Sequence, residues 1–159
     1  MKFKIEQLAL HPRDPEAAME LLSAMGAGEW AKDHVCATGR VFGVEASNEA
    51  ELAFDYEMLD QARELEVLAY TRGPNWMDVG SSDPNRASHI GMHCTAAELE
   101  GWRRFFAGRG IDVAQEVNTA SHTNPVIAGK RWYNYVIFNT HPILGVDVKF
   151  IVRYDHARI

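Results

Sequence analysis

Two hydrophobic periods alternate along this chain, and they do so twice in the same order. From Phe3 to Leu10 the pattern alternates around Gln7, with Leu8 and Leu10 on one face and Ile5, Gln7 and Ala9 on the other, the period of a strand. Asp14-Pro15 then supplies a cap followed by proline at the first helical position. The spacing predicts a helix over 17–25, with Ala18, Leu21, Leu22 and Met25 as its buried stripe and Gly26 as its stop. Strands are expected next over 35–46, 51–56 and 64–71. In the last of these Leu65, Val67 and Ala69 make a face that a helix can cover, which turns Glu64, Glu66 and Leu68 the other way.

Residues 73–85 are dense in turn formers and read as a linker. The order then restarts. Arg86–His93 echoes residues 4–11, with Gln7 falling on His89 and His11 on His93 at a constant offset of 82. Thr95 and Glu98 form a capping box, and a helix runs through Leu99, Trp102, Phe105 and Phe106 to a stop at Gly108 and Gly110. Strands follow near 112–119, 131–139 and 146–154. Val148, Phe150 and Val152 share one face of the last strand, and Asp147, Lys149 and Ile151 the other. Lys149 lies 83 residues after Glu66, so the halves correspond within a one-residue insertion. The expected class is α+β: two βαβββ modules, 1–72 and 86–159, joined by the linker 73–85 and forming curled, cup-shaped mixed sheets.

Composition narrows the classes of partner. A chain of 159 residues suits one compact domain or two half-domains sharing a core. A net charge of −6 argues against nucleic acid, which needs a basic face. No apolar run approaches the ~20 residues of a membrane span, and the N-terminal stretch lacks the apolar core of a signal peptide. Cys36 and Cys94 make no disulfide framework, which fits a reducing compartment. The expectation is a soluble cytoplasmic protein with no nucleic-acid or membrane partner.

Three features carry a family resemblance over nearly the whole chain: the doubled layout, the segment Ala87-Ser-His89-Ile-Gly-Met92, and the turn Asn139-Thr-His-Pro-Ile-Leu-Gly145. Together they resemble the vicinal oxygen chelate superfamily, which includes glyoxalase I, bleomycin-resistance proteins and extradiol dioxygenases. The resemblance implies an open cup with a divalent metal at its floor, held by one residue from the first and last strand of each half. Those positions are Gln7, Glu66, His89 and Lys149 here. Lys149 departs from the pattern, which has a carboxylate there, and the turn before it has lost its acidic residue.

Two readings of these four residues follow. In one, Gln7, Glu66 and His89 hold Fe, Mn, Ni, Co or Zn, Glu66 doubles as a base, and Lys149 stabilises an oxyanion. Asp147 or Glu64 then sits between ammonium and cation. In the other, Lys149 pairs with Glu66 where the ion would be and no metal is needed, because a buried charge requires a partner; the lysine favours this one. Tyr133, Tyr135 and Asp147 are candidate ligand-binding residues, the tyrosines as an aromatic wall or as ordinary sheet packing. Trp76 either covers the cup or packs. His11 and His93 fall at matching strand ends and suggest helix-entry roles, and His34, His122, His141 and His156 are expected at the surface.

Function then divides three ways. The first is a metal-dependent lyase, isomerase or dioxygenase acting on a small organic molecule; the second is a metal-free binder of such a molecule. The third is a non-catalytic interaction module. The resemblance also implies a homodimer.

Overall fold

Strands with one polar-lined face and one apolar face bury both by curling, with helices outside and polar groups enclosed. The computed structural model describes residues 2–59, 63–78, 85–121, 123–124 and 128–155. It contains β1 (Gln7–His11), α1 (Pro15–Ala24), β2 (Ala31–Val41), β3 (Val44–Asp55), β4 (Glu64–Arg72) and a 3₁₀ turn at Trp76–Asp78. After these come β5 (Arg86–His93), α2 (Ala96–Ala107), β6 (Val113–Ser121), β7 (Trp132–Phe138), α3 (His141–Leu144) and β8 (Asp147–Tyr154). The fold is α+β, as the doubled pattern predicts.

The strands form a single barrel in the order β1-β4-β3-β2-β6-β7-β8-β5, closed within one chain. β1 runs parallel to β4 and β5 parallel to β8, while β1–β5 and β2–β6 are antiparallel seams between the two halves. Those seams join the two curled sheets into the expected cup, here closed as a barrel, because pairing the halves at both sides leaves no free edge among the described strands.

Two local expectations need correction. Residues 35–46 are not one strand: β2 and β3 meet at a two-residue turn, Phe42-Gly43, with φ of 45° and 78°. Positive φ at both central residues matches the twist of a hairpin but is ordinarily supplied by Asn-Gly, so phenylalanine hid the turn. The stripe assigned to α1 is also rotated. Met19 is buried against Ala53 and Val67, with Leu22 beside it, whereas Leu21 and Met25 are 63% and 64% exposed. The alanine on β3 leaves room for Met19 to enter, and that contact sets the rotation of the helix. Trp76 packs: it is buried at one end of the barrel with Met77, Leu68 and Ile137. The rest of the linker, 79–84, lies outside the described residues.

α2 does what its sequence predicts. Its capping box is formed, and Leu99, Trp102 and Phe106 bury against Val136, Phe138, Val148, Phe150 and Val152. Trp102 stacks on Phe150 at 5.1 Å and Phe106 on Phe138 at 4.3 Å between ring centroids. No helix among the described residues is long and apolar enough to cross a membrane.

The two helices should therefore respond differently to truncation. Phe106→Ala in α2 is expected to cost roughly 3–5 kcal/mol in urea unfolding, the range for a buried aromatic. Leu21→Ala should stay within about 0.5 kcal/mol, as for an exposed side chain.

Candidate functional site

Register brings the four singled-out residues together. Gln7 and Ala9 of β1 lie opposite Glu64 and Glu66 of β4 and Gly91 and His89 of β5, and Gly91 lies opposite Lys149 of β8. Alternation points Gln7, Glu66, His89 and Lys149 into the barrel, where they are 2%, 1%, 1% and 5% exposed. Gly91 is small for a reason visible here: a Cβ would meet the Gln7 side chain at 3.0 Å.

Their contacts have a direction. The Ser88 hydroxyl lies 3.0 Å from His89 Nδ1, and His89 Nε2 lies 2.7 Å from Gln7 Oε1. The Gln7 amide nitrogen donates to Glu64 Oε1, so its carbonyl oxygen faces the histidine and Nε2 is the donor there. Nδ1 then accepts from Ser88, which defines a neutral imidazole. Burial and the nearby Lys149 charge both hold His89 down to about 4, which agrees with that assignment.

Lys149 is neutralised by Glu66 itself. Its Nζ stands 3.6 Å from Glu66 Oε2 and 4.3 Å from the centre of the Tyr135 ring, a cation–π contact. Neither Glu64 nor Asp147 stands between them. Asp147 accepts instead from Trp76 Nε1 at 3.0 Å and from the His141 backbone N–H at 2.8 Å, fastening the Trp76 end of the barrel. Burial alone would raise Glu66, but the ammonium, aided by His89 at 3.3 Å, outweighs it and holds the carboxyl at about 2.

Glu64, two residues earlier on the same face, behaves oppositely. Burial and then the Glu66 charge push its carboxyl up to about 7, against smaller lowering from Lys149, Gln7 and Tyr56. Burial and Glu64 in turn raise the neighbouring Tyr56 hydroxyl to about 12. Glu64 and Tyr56 open on a cavity of about 370 Å³ whose wall includes Phe54, Tyr133, Tyr135 and Arg131. Tyr133 and Tyr135 stack at 5.7 Å. A second, far smaller space of about 30 Å³ touches Glu66, His89 and Lys149. Tyr135, Val35, Leu52 and Thr119 line both spaces and form the layer between them.

Of the candidate residues, then, Gln7, Tyr133 and Tyr135 reach the large cavity, Glu66, His89 and Lys149 lie beneath it, and Asp147 serves the closed end. Strand parity had placed Glu64 on the inner face; its elevated proton affinity depends on burial, which parity does not report. Nothing in the spacing marked Tyr56 or Arg131, which come from loops and strand ends.

The remaining histidines vary. His93 Nδ1 contacts Glu6 at 3.2 Å, and His11 lies 6.2 Å from Tyr70 between ring centres. His34, expected at the surface, is part-buried beside Glu51 and Cys36. His122 and His156 lie outside the described residues.

No family model and no curated protein sequence matches the chain. Solved structures do. A hypothetical protein from Bacillus halodurans C-125 superposes with a TM-score of 0.54 at 10% identity, covering 98% of each chain. Methylmalonyl-CoA epimerase from Mycobacterium tuberculosis gives a TM-score of 0.55 at 9% identity, over 96% of this chain and 91% of that one. A methylmalonyl-CoA epimerase in complex with methylmalonyl-CoA and NH4+ gives 0.52 at 14% identity, over 94% and 93%. These epimerases have the vicinal oxygen chelate fold, and the barrel here shares it; at such identities the likeness concerns the fold alone.

The opposed shifts generate a pH signature. A carboxyl raised to about 7 makes the native state hold an extra proton above about 4.5, so its contribution falls as pH rises toward 7. An imidazole lowered to about 4 makes the native state hold one proton fewer below about 6.5, so its contribution rises with pH. Between about pH 4.5 and 6.5 the two cancel. Glu64→Gln should therefore produce stability that climbs with pH across that window, and His89→Gln stability that declines, both by the slope of about one proton in chemical denaturation.

Proposed function

We propose that the protein binds a small organic molecule in the large cavity, without a metal at the barrel floor, and that Glu64 exchanges a proton with it. The observation that carries this reading is a carboxyl on the wall of a ligand-sized space, pushed up to about 7 by burial and by the second carboxylate two residues away. Aromatic rings of Phe54, Tyr56, Tyr133 and Tyr135 suit a flat or unsaturated body, and Arg131 suits an anionic substituent.

Gln7, Glu66, His89 and Lys149 do not fit the divalent ion that the fold family implies. A charged lysine has no lone pair to donate, and it stands 3.6 Å from the carboxylate a metal would need. A cation placed there would face an ammonium. The Gln7 carbonyl, a second donor, already accepts from His89. The four residues instead form a fixed polar floor whose relay, from Ser88 through His89 and Gln7, orients the Glu64 carboxyl.

The chemistry available to such a site is general acid–base transfer. Deprotonated Glu64 can take a proton from a bound acid and return it, and groups with affinity near the working pH do this best. Isomerisation or epimerisation at an acidic C–H is the corresponding reaction class; binding alone is the outcome if no such C–H is presented.

The test is a thermal-shift screen of small aromatic and carboxylated carbonyl compounds, followed by NMR of each hit in D₂O. A ligand at 100 times its Kd should stabilise the fold by about 2.7 kcal/mol. Bound compounds with an acidic C–H should gain deuterium, at least 100-fold more slowly with Glu64→Gln. No stabilising compound across the screen refutes binding; exchange undiminished in Glu64→Gln refutes the role of that carboxyl.

A further inference from the structure

On the outer face of the barrel, away from the polar floor, the β2–β3 hairpin brings a different set of side chains together. Cys36 pairs across the strands with Glu49, and His34 with Glu51. All four point outward, since Val35, Ala50 and Leu52 between them are buried in the core. His34 Nε2 lies 3.9 Å from Cys36 Sγ and 3.7 Å from Glu49 Oε2, and the three ligand atoms all fall within 4.8 Å of one another.

We infer that His34, Cys36 and Glu49 form a surface site for a borderline divalent transition metal, Zn²⁺ or Co²⁺, with Glu51 orienting the histidine. A tetrahedral ion with bonds of about 2.3 Å to sulfur and about 2.0 Å to nitrogen and oxygen sets its ligand atoms roughly 3.3–3.6 Å apart. The observed separations need a contraction of only a few tenths of an ångström on the histidine's two contacts. Imidazole, thiolate and carboxylate together suit this class of ion better than a hard one.

The surroundings support the assignment. Glu51 Oε1 lies 2.8 Å from His34 Nδ1. A carboxylate that accepts from Nδ1–H fixes the tautomer and leaves the Nε2 lone pair facing Cys36 and Glu49, the arrangement typical of ligating histidines. Arg72 contacts Glu49 through Oε1 at 3.4 Å, leaving Oε2 toward the histidine. His34 and Glu49 side chains are 28% and 33% exposed, so the ligand atoms are partly enclosed yet reachable. Cys36 also borders a groove of about 210 Å³ lined by Trp132 and Tyr154, through which a water or small donor can take the fourth position. Binding replaces the Cys36 S–H bond with a sulfur–metal bond and releases one proton to solvent. Thiolate and Glu49 carboxylate then balance the two charges of the ion.

Co²⁺ and Zn²⁺ titration of the chelator-stripped full chain tests the site. One equivalent of Co²⁺ should bind and produce a thiolate-to-cobalt absorption band that Zn²⁺ abolishes. Cys36→Ser and His34→Gln should lose the band and at least 100-fold in affinity, Glu51→Gln should lose about 10–100-fold, and thermal unfolding of each metal-free variant confirms that it folds. Cys94→Ser should leave stoichiometry and affinity unchanged, and loss of binding in Cys36→Ser separates this site from the barrel floor. Less than one equivalent bound, a band that survives Cys36→Ser, or affinity indifferent to His34→Gln would overturn the assignment.

Discussion

The barrel depends on how a buried lysine is neutralised. Lys149 and Glu66 are both nearly excluded from solvent, and either charge alone in that position would be costly. Their contact at 3.6 Å, with the Tyr135 ring on one side of the ammonium and His89 on one side of the carboxylate, satisfies both. The surrounding order follows from that pair. Because His89 is buried and Lys149 beside it is charged, His89 stays neutral; His89 donates to Gln7, and the Gln7 amide nitrogen turns toward Glu64. Because it is largely buried and Glu66 keeps its charge beside it, Glu64 does not easily acquire its own. The ion pair thus fixes the floor and contributes, through Glu66, to the raised proton affinity of the Glu64 carboxyl above it.

That arrangement separates three regions which the fold could have merged. The closed end is fastened by Trp76 and Asp147, the middle by the charged pair, and the open end is left to a cavity with aromatic walls. Metal-ligating chemistry, where the residues suit it, lies on the outside of the β2–β3 hairpin instead, where Cys36 and His34 share an outward face. Four strands deliver the floor residues by register.

Much of this was legible in the chain. Period-two alternation placed Gln7, Glu66, His89 and Lys149 on inner faces, and the 82-residue offset of Gln7 and His89 brought them to neighbouring strands. The capping box of Thr95 and Glu98 and the apolar face of Phe150 located α2 and its core. What stayed hidden depends on relations between distant residues. The Phe42-Gly43 turn carries no usual turn composition, and Met19 faces inward only because Ala53 leaves it room. Glu64 was visible as an inward carboxylate, but not as one near neutrality, because its affinity comes from burial and from a charge two residues away. Cys36 and Glu49 become neighbours only once the hairpin register is known.

On the proposed reading, the Lys149 ammonium takes the place of an ion at the barrel floor. Thermal unfolding of Lys149→Glu, with and without Mn²⁺, Co²⁺ or Zn²⁺ and in a Cys36→Ser background that removes the outer site, tests it most directly. A carboxylate at this fourth position should destabilise the metal-free barrel by about 3–5 kcal/mol, since two buried carboxylates then face each other unpaired, and a divalent ion should recover most of that loss. The Cys36→Ser parent, with Lys149 in place, should show no shift with any of the three ions. A parent stabilised by a divalent ion, with the effect abolished by Glu66→Gln, would contradict the claim and return the floor to the metal.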